Sequence, residues 1–207
     1  MKKIIMCGIA AVIALTSATS VCAQTNNAND PVIWDYRARY FNIAYAWQTI
    51  NIGGSEYKSD LAASISWGKQ YYLHRQPIAG MMKFAIDYTW IDLNYASYKF
   101  LTVSDAEIYT QKAMQAEYAM SVGPSFTINP FDAIKVCVYY RVSPSLTLMK
   151  GDDFNIGYAT YMNAGASFAW KVLSVGAEYR WGNPKYKALS SQPAKTSAIR
   201  LYLGFRF

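Results

Sequence analysis

Bulky apolar residues occupy every second position in eight segments of this chain. In the last segment they are Ile199, Leu201, Leu203, Phe205 and Phe207, and small or charged residues lie between them. A β-strand directs successive side chains to opposite faces, so each segment predicts a strand with one apolar and one polar face. The other seven segments are 41–48, 61–68, 82–90, 114–128, 134–143, 161–171 and 173–182.

The connections between these segments alternate in length. Three are short, namely HRQPIAG, NPFDA and KVLS. Four are longer and more polar, namely NIGGSEYKSD, SYKFLTVSDAEIYTQ, PSLTLMKGDDFN and GNPKYKALSSQPAK. Short turns at one end and long loops at the other are typical of outer-membrane barrels. We therefore predict an all-β fold, an eight-stranded antiparallel up-and-down transmembrane β-barrel, with both termini on the side of the short turns.

The composition bears on which face of the barrel points outward. Charged residues make up 16% of the chain, against about 25% in a typical soluble domain. The polar faces consist mainly of Gly, Ala, Ser, Thr and Asn, which suit the narrow interior of an eight-stranded barrel. A soluble, lipocalin-like barrel with its apolar face inward is the alternative.

Tryptophans favour the membrane interpretation. Trp47, Trp90 and Trp181 fall near the long loops, and Trp34 and Trp170 fall near the opposite strand ends. Two aromatic belts at the membrane–water interfaces would have this distribution. Trp67 fits neither belt, and ordinary core tryptophans are the other explanation.

The amino terminus predicts export. Lys2 and Lys3 precede an apolar stretch that ends near Leu15, and a small-residue exit follows at 21–23, so we expect a signal peptide over 1–23. An uncleaved anchor and a lipoprotein signal acylated at Cys22 are the alternatives. A periplasmic segment over 24–35 and a barrel domain over 36–207 would complete the chain. No later segment has 18 consecutive apolar residues, which argues against membrane-spanning helices.

From Trp34 to Phe207 the chain resembles the small outer-membrane β-barrels of Gram-negative bacteria, of the OmpA/OmpX type. The most specific element is the terminal strand, where Leu201, Leu203, Phe205 and Phe207 end the chain. The resemblance implies that this strand is an assembly signal read by the barrel assembly machinery. It also implies residence in the cell outer membrane, contact with outer-membrane lipid and periplasmic termini, and we expect a monomer.

Motifs for catalysis, cofactors or metals are missing from the sequence. There is no HExxH, Gly-rich phosphate loop or CxxC pair, and the sole histidine, His74, lies in the first short turn. Cys137 would be the one cysteine left after signal cleavage, and we interpret it as a space-filler on the inner face. The net charge of +7 comes without a nucleic-acid-binding motif. We therefore expect no enzyme activity, cofactor, metal or nucleic-acid partner.

Charges on the polar faces form the one candidate constellation. The positive members are Lys83, Lys135, Arg141, Lys171, Arg180, Arg200 and Arg206, and the negative members are Asp87, Glu117 and Glu178. Ions in a narrow lumen should be paired, because unpaired burial is costly. We expect Glu178 to pair with Arg200, with Arg180 as the second candidate.

Two functions follow from this pattern. One is a structural or surface-interaction barrel, whose loop residues Tyr57, Tyr98, Tyr109 and Tyr186 are available to an unknown surface ligand. The alternative is a narrow, porin-like channel that prefers anions, because positive charges outnumber negative ones on the inner face. An enzyme acting on lipid or peptide ranks third.

Overall fold

The computed structural model describes residues 38–74, 77–104, 107–131, 133–151, 154–186 and 194–207. The expected signal peptide, the segment 24–35 and Trp34 lie outside these residues. The described strands are β1 (Arg39–Ile52), β2 (Ser55–Tyr72), β3 (Met82–Ser104), β4 (Glu107–Phe131), β5 (Ile134–Lys150), β6 (Phe154–Trp170), β7 (Leu173–Gly182), β8 (Lys185–Tyr186) and β9 (Ala194–Arg206).

The two-residue strand β8 continues the path of β7. Both pair with β6, and only Asn183 and Pro184 separate them. Proline has no backbone N–H to donate to a sheet, which accounts for the interruption. Together β7 and β8 therefore count as one strand of the barrel.

Antiparallel pairing runs around the whole sheet. Each strand from β1 to β6 pairs with the next, and β9 pairs with both β7 and β1, which closes the sheet. The predicted fold, an eight-stranded antiparallel up-and-down barrel, is confirmed. Within the described residues no helix is long and apolar enough to cross a membrane.

Apolar side chains point away from the barrel axis. Ile65, Leu93 and Leu203 are 44%, 49% and 67% exposed. The residues that alternate with the outward ones along each strand are mostly buried, and most of them are polar or small. Trp47 and Trp170 are also more than half exposed. A water-soluble barrel would place these side chains inside, so the lipocalin-like alternative is wrong. The outward apolar surface is that of a transmembrane barrel.

The strands are longer than the sequence predicted. β3 and β4 have 23 and 25 residues and pair up to Ser104 and Glu107. The first expected long loop is a two-residue turn, Gly53–Gly54, with φ of 60° and 92°, a conformation that glycine adopts without steric cost. The prediction of long loops was wrong at these places, because outward positions beyond the apolar belt carry polar residues and the alternation is lost there.

A β-bulge interrupts β3. Thr89 pairs with Gly68 and Ser121, and Asp92 pairs with Ser66 and Ala119, so β3 has one residue more than its neighbours here. Bulges of this kind shift the side-chain alternation. As a result Asp92 points into the barrel, a position that simple alternation would assign to its neighbour.

Candidate functional site

Four arginines and four carboxylates fill the barrel interior. The arginines come from β5, β7 and β9 and the carboxylates from β3, β4 and β7, and each residue is at most 7% exposed. They are Arg141, Arg180, Arg200, Arg206, Asp87, Asp92, Glu117 and Glu178. Alternation, together with the bulge before Asp92, places these side chains on the inner face, and burial requires each to find a partner.

Glu178 lies at the centre of this network. Its carboxylate accepts from Arg141 Nη2 and, at 3.1 Å, from Arg200 Nη1. Arg141 also contacts Asp87 at 3.2 Å, and Arg200 contacts Asp92 at 3.0 Å. Glu178 and Arg200 are directly paired across β7 and β9. The expected Glu178–Arg200 pair is therefore present, and each arginine bridges two carboxylates.

Tyrosines satisfy further oxygens of the central carboxylates. Tyr40 donates to Asp87 at 2.6 Å, and Tyr139 donates to Glu178 at 3.0 Å. The Tyr40 ring lies over Gly68, where any larger residue would clash with it. The interior is thus a packed hydrogen-bonded layer, in which a small residue on one strand makes room for an aromatic ring from another.

A second cluster surrounds Glu117. Its carboxylate contacts Arg180 at 2.9 Å and accepts from Tyr161 at 2.7 Å and from Gln115 at 2.6 Å. Beyond it a buried apolar group closes the end of the barrel near the β1–β2 turn. This group comprises Ala46, Ile50, Ala62, Ala96, Tyr98, Met149, Tyr186 and Ala194. The prediction that Tyr98 and Tyr186 are loop residues available to a ligand is therefore wrong, because both side chains are buried inside the barrel.

At the opposite end Arg206 interacts with uncharged partners. It donates to Gln70 Oε1 at 3.1 Å and to Ser167 at 2.9 Å. Gln70 Nε2 in turn lies 3.0 Å from the Cys137 sulfur. Cys137 is buried on the inner face, as expected. His74 accepts from the backbone N–H of Phe84 at 3.1 Å.

The structure corrects four details of the predicted charge set. Lys171 lies in the turn between β6 and β7 and is exposed, so its assignment to the inner face was wrong. Lys135 is only half-buried, and Lys83 is buried with its ammonium 5.4 Å from the Tyr72 ring centre. Arg180 pairs with Glu117 instead of Glu178.

The fourth correction concerns Asp92, which the sequence missed. A Trp-Ile pair before an acidic residue in an otherwise alternating strand is the signal that could have revealed it. Among the described residues, five inner cations (Lys83 and the four arginines) then face four carboxylates. The large positive surplus expected for the lumen is therefore wrong, because Lys171 is exposed, Lys135 is only half-buried and one carboxylate was missed.

Little free space remains around the central network. The cavity bounded by Thr89, Asp92, Arg141, Glu178 and Arg200 has a volume of about 10 Å³, enough for roughly one water molecule. Within the described part of the chain no group of three or more His, Cys, Asp or Glu side chains could hold a metal ion. The central ion pairs connect side chains from β3, β5, β7 and β9 and so stabilise the closed barrel.

No family model matches the chain, and no curated protein is significantly similar to it. Solved structures do match. Ail of Yersinia pestis, in complex with the heparin analogue sucrose octasulfate, is 12% identical with a TM-score of 0.51, covering 82% of this chain and 97% of its own. Neisserial surface protein A is 15% identical with a TM-score of 0.49 over the same shares. The Escherichia coli outer-membrane protease OmpT is 7% identical with a TM-score of 0.42, covering 86% and 99%.

Of these three structures, Ail has a TM-score above 0.5, and this match indicates a shared fold. Fold, apolar outer wall and filled interior together define an integral outer-membrane-type β-barrel. More narrowly, the chain has the fold of the small eight-stranded barrels of the OmpA/OmpX type. Of the residues proposed as the assembly signal, Leu201, Leu203 and Phe205 face outward on β9. Phe207 follows the end of that strand.

Proposed function

We propose that this protein is a non-conducting, non-enzymatic barrel of the outer membrane whose role lies on its exposed surface. The observation that supports this proposal most is the packed lumen. Paired charged side chains occupy its centre around a cavity of about 10 Å³. A dissolved ion larger than a water molecule has no room to pass through a cavity of that volume. A role for the interior in transport would require the network to open.

The orientation is part of the same proposal. One end of the barrel has tight turns, such as the one at Lys171, and carries the carboxyl terminus. At the other end β3 and β4 extend as a long hairpin. By analogy with barrels of this fold, the short turns and both termini would face the periplasm and the hairpin would face outward. Recognition of the terminal strand by the assembly machinery stays a prediction.

An anion-preferring channel is less well supported. The sequence suggested it because positive charges outnumbered negative ones on the inner face. In the described barrel, however, five buried cations nearly balance four buried carboxylates. Each of Arg141, Arg180 and Arg200 contacts at least one carboxylate within 4 Å. A selective channel for anions would instead need unpaired cations along an open path.

Planar-bilayer recording tests the proposal. The refolded protein, checked for a heat-modifiable gel shift and for protection of the strands from protease, should leave the current at background. The double variant R141S/E178S, which removes the central pair, serves as the comparison for an enlarged lumen. Regular single-channel steps from the unmodified barrel, absent from protein-free bilayers, would overturn the proposal and restore the channel.

A further inference from the structure

Two strands of the barrel run well past the membrane. β5 and β6 have 17 residues each, whereas a transmembrane strand needs about 9–11. Ile134 pairs with Trp170 at the short-turn end, and Pro144 pairs with Thr160 further up. A crossing of about 9–11 residues that begins at the first pair is complete at the second pair. The outward side chains beyond it are therefore at the level of lipid headgroups or above.

Those outward side chains are apolar. They form what we call the raised apolar face, which consists of Met114, Leu146, Leu148, Phe154, Ile156 and Tyr158. Leu146 pairs with Tyr158 and Leu148 with Ile156, so the face is continuous across β5 and β6. Phe154 is 71% exposed. Apolar patches of this kind in contact with water usually mark an interaction site.

Lysines border the same face. Lys150 Nζ lies 5.1 Å from the Phe154 ring centre, and Lys185 Nζ lies 5.8 Å from that of Tyr158. Within the described residues neither lysine forms an ion pair; the exposed pair is Lys99 with Asp60, at 2.9 Å. The surface thus combines flat aromatic rings with cations that are available to an anion.

The rest of the rim is different. Beyond Trp47, the outward-facing side chains of β1, Thr49 and Asn51, are polar. Lys58 on β2 and Lys195 on β9 are exposed there as well, but their cross-strand neighbours are Thr49 and Asn51. Among the described residues of these strands, apolar surface and cations therefore occur together on the β5–β6 side and not on the β1–β9 side.

We propose that the raised apolar face binds a phosphate-bearing glycolipid of the outer leaflet. The face continues upward from the lipid-contacting wall, so the neighbour it meets is the headgroup of an adjacent lipid. Sugar rings would stack on Phe154 and Tyr158, and phosphates would pair with Lys150 and Lys185. A phospholipid such as phosphatidylglycerol offers a phosphate but no sugar ring to stack on Phe154 and Tyr158. The proposal rests on the orientation given above.

Native mass spectrometry in a neutral detergent tests this proposal. The probes are bisphosphorylated lipid A, its dephosphorylated form and phosphatidylglycerol, each titrated against the folded barrel. K150Q/K185Q should weaken binding of bisphosphorylated lipid A by about thirtyfold, since a lysine at a lipid surface contributes roughly a fivefold factor. The matched control K58Q/K195Q removes the same charge from the polar side and should change binding by less than about twofold.

Two further experiments distinguish the contribution of the apolar side chains from that of the lysines. F154S/I156S should weaken lipid A with and without phosphate alike, and inorganic phosphate at equal phosphate concentration should not compete. Equal losses in both lysine pairs, equal binding of phosphatidylglycerol, or competition by free phosphate would each overturn the proposal. Gel mobility of every variant confirms that the barrel is folded. A reversed orientation would appear separately in the surface labelling described below.

Discussion

At the scale of single residues, the lumen depends on shared partners. Glu178 serves two arginines and a tyrosine, and each of those arginines has a second carboxylate. In a buried network, losing one member leaves the others with incomplete compensation, which costs more than the pair contributes when intact. Glu178 is therefore the residue whose charge the interior can least replace.

Neutralising Glu178 should destabilise the barrel. E178Q keeps the shape of the side chain but leaves Arg141 and Arg200 with one carboxylate each, so we expect a loss of about 3 kcal/mol, the lower end of the range for a broken buried pair. Urea unfolding in fixed detergent micelles measures the change. E56Q, at an exposed position, is the matched control and should unfold at the parental midpoint. Coinciding midpoints for E178Q and the parent would contradict a structural role.

At the scale of one strand, the bulge in β3 accommodates one residue more than the neighbouring strands have. Trp90 is the extra residue, because Thr89 and Ile91 are paired with the successive residues Gly68 and Trp67 of β2. Without Trp90, Thr89 and Ile91 could still pair with Gly68 and Trp67, and Asp92 would still face inward. The bulge thus adds a local kink and an additional outward ring without changing the register above it.

Deleting Trp90 should therefore be tolerated. The shortened strand regains simple alternation, so the variant should fold and keep its heat-modifiable mobility. Deleting Leu93 from the same strand is the matched control, because it turns the residues on one side of the deletion to the wrong face. We expect that control to lose the folded band. Equal yields of folded barrel from both deletions would contradict the assignment of Trp90 as the extra residue of β3.

At the scale of the molecule, the two ends of the barrel differ. Strands of 17 to 25 residues extend beyond one side of the apolar belt, and tight turns close the other side. A wall that continues past the membrane presents its outward side chains to whatever lies on that surface. With the lumen packed, the raised apolar face is the surface of the described residues that we propose for contact with a partner.

Surface labelling can establish the orientation. S55C introduces a cysteine beside the β1–β2 turn, and M81C introduces one beside the β2–β3 turn; both positions are exposed. The native Cys137 is buried and should stay unlabelled. On intact cells a membrane-impermeant maleimide should react with S55C, and with M81C only after permeabilisation. The reverse pattern would place the raised face in the periplasm.

The strand count and the outward face could be predicted from the sequence, because a strand's two-residue period appears directly in the order of residues. The terminal segment 198–207 is the clearest example of this period. The low content of charged residues favoured a transmembrane barrel over a water-soluble one. The sequence also named Glu178 and Arg200 as partners. That pair lies on neighbouring strands, so chain order alone brings the two residues together.

Only the tertiary structure decided the rest of the lumen. Arg141 on β5 reaches Asp87 on β3 and Glu178 on β7, contacts that depend on how the closed sheet staggers its strands. Asp92 turned inward through a bulge that alternation cannot show. Lys171 sits at a turn, where a single residue decides whether a side chain enters the barrel or leaves it. Local pattern determines which face a residue belongs to, whereas closure of the barrel determines which charges meet across it.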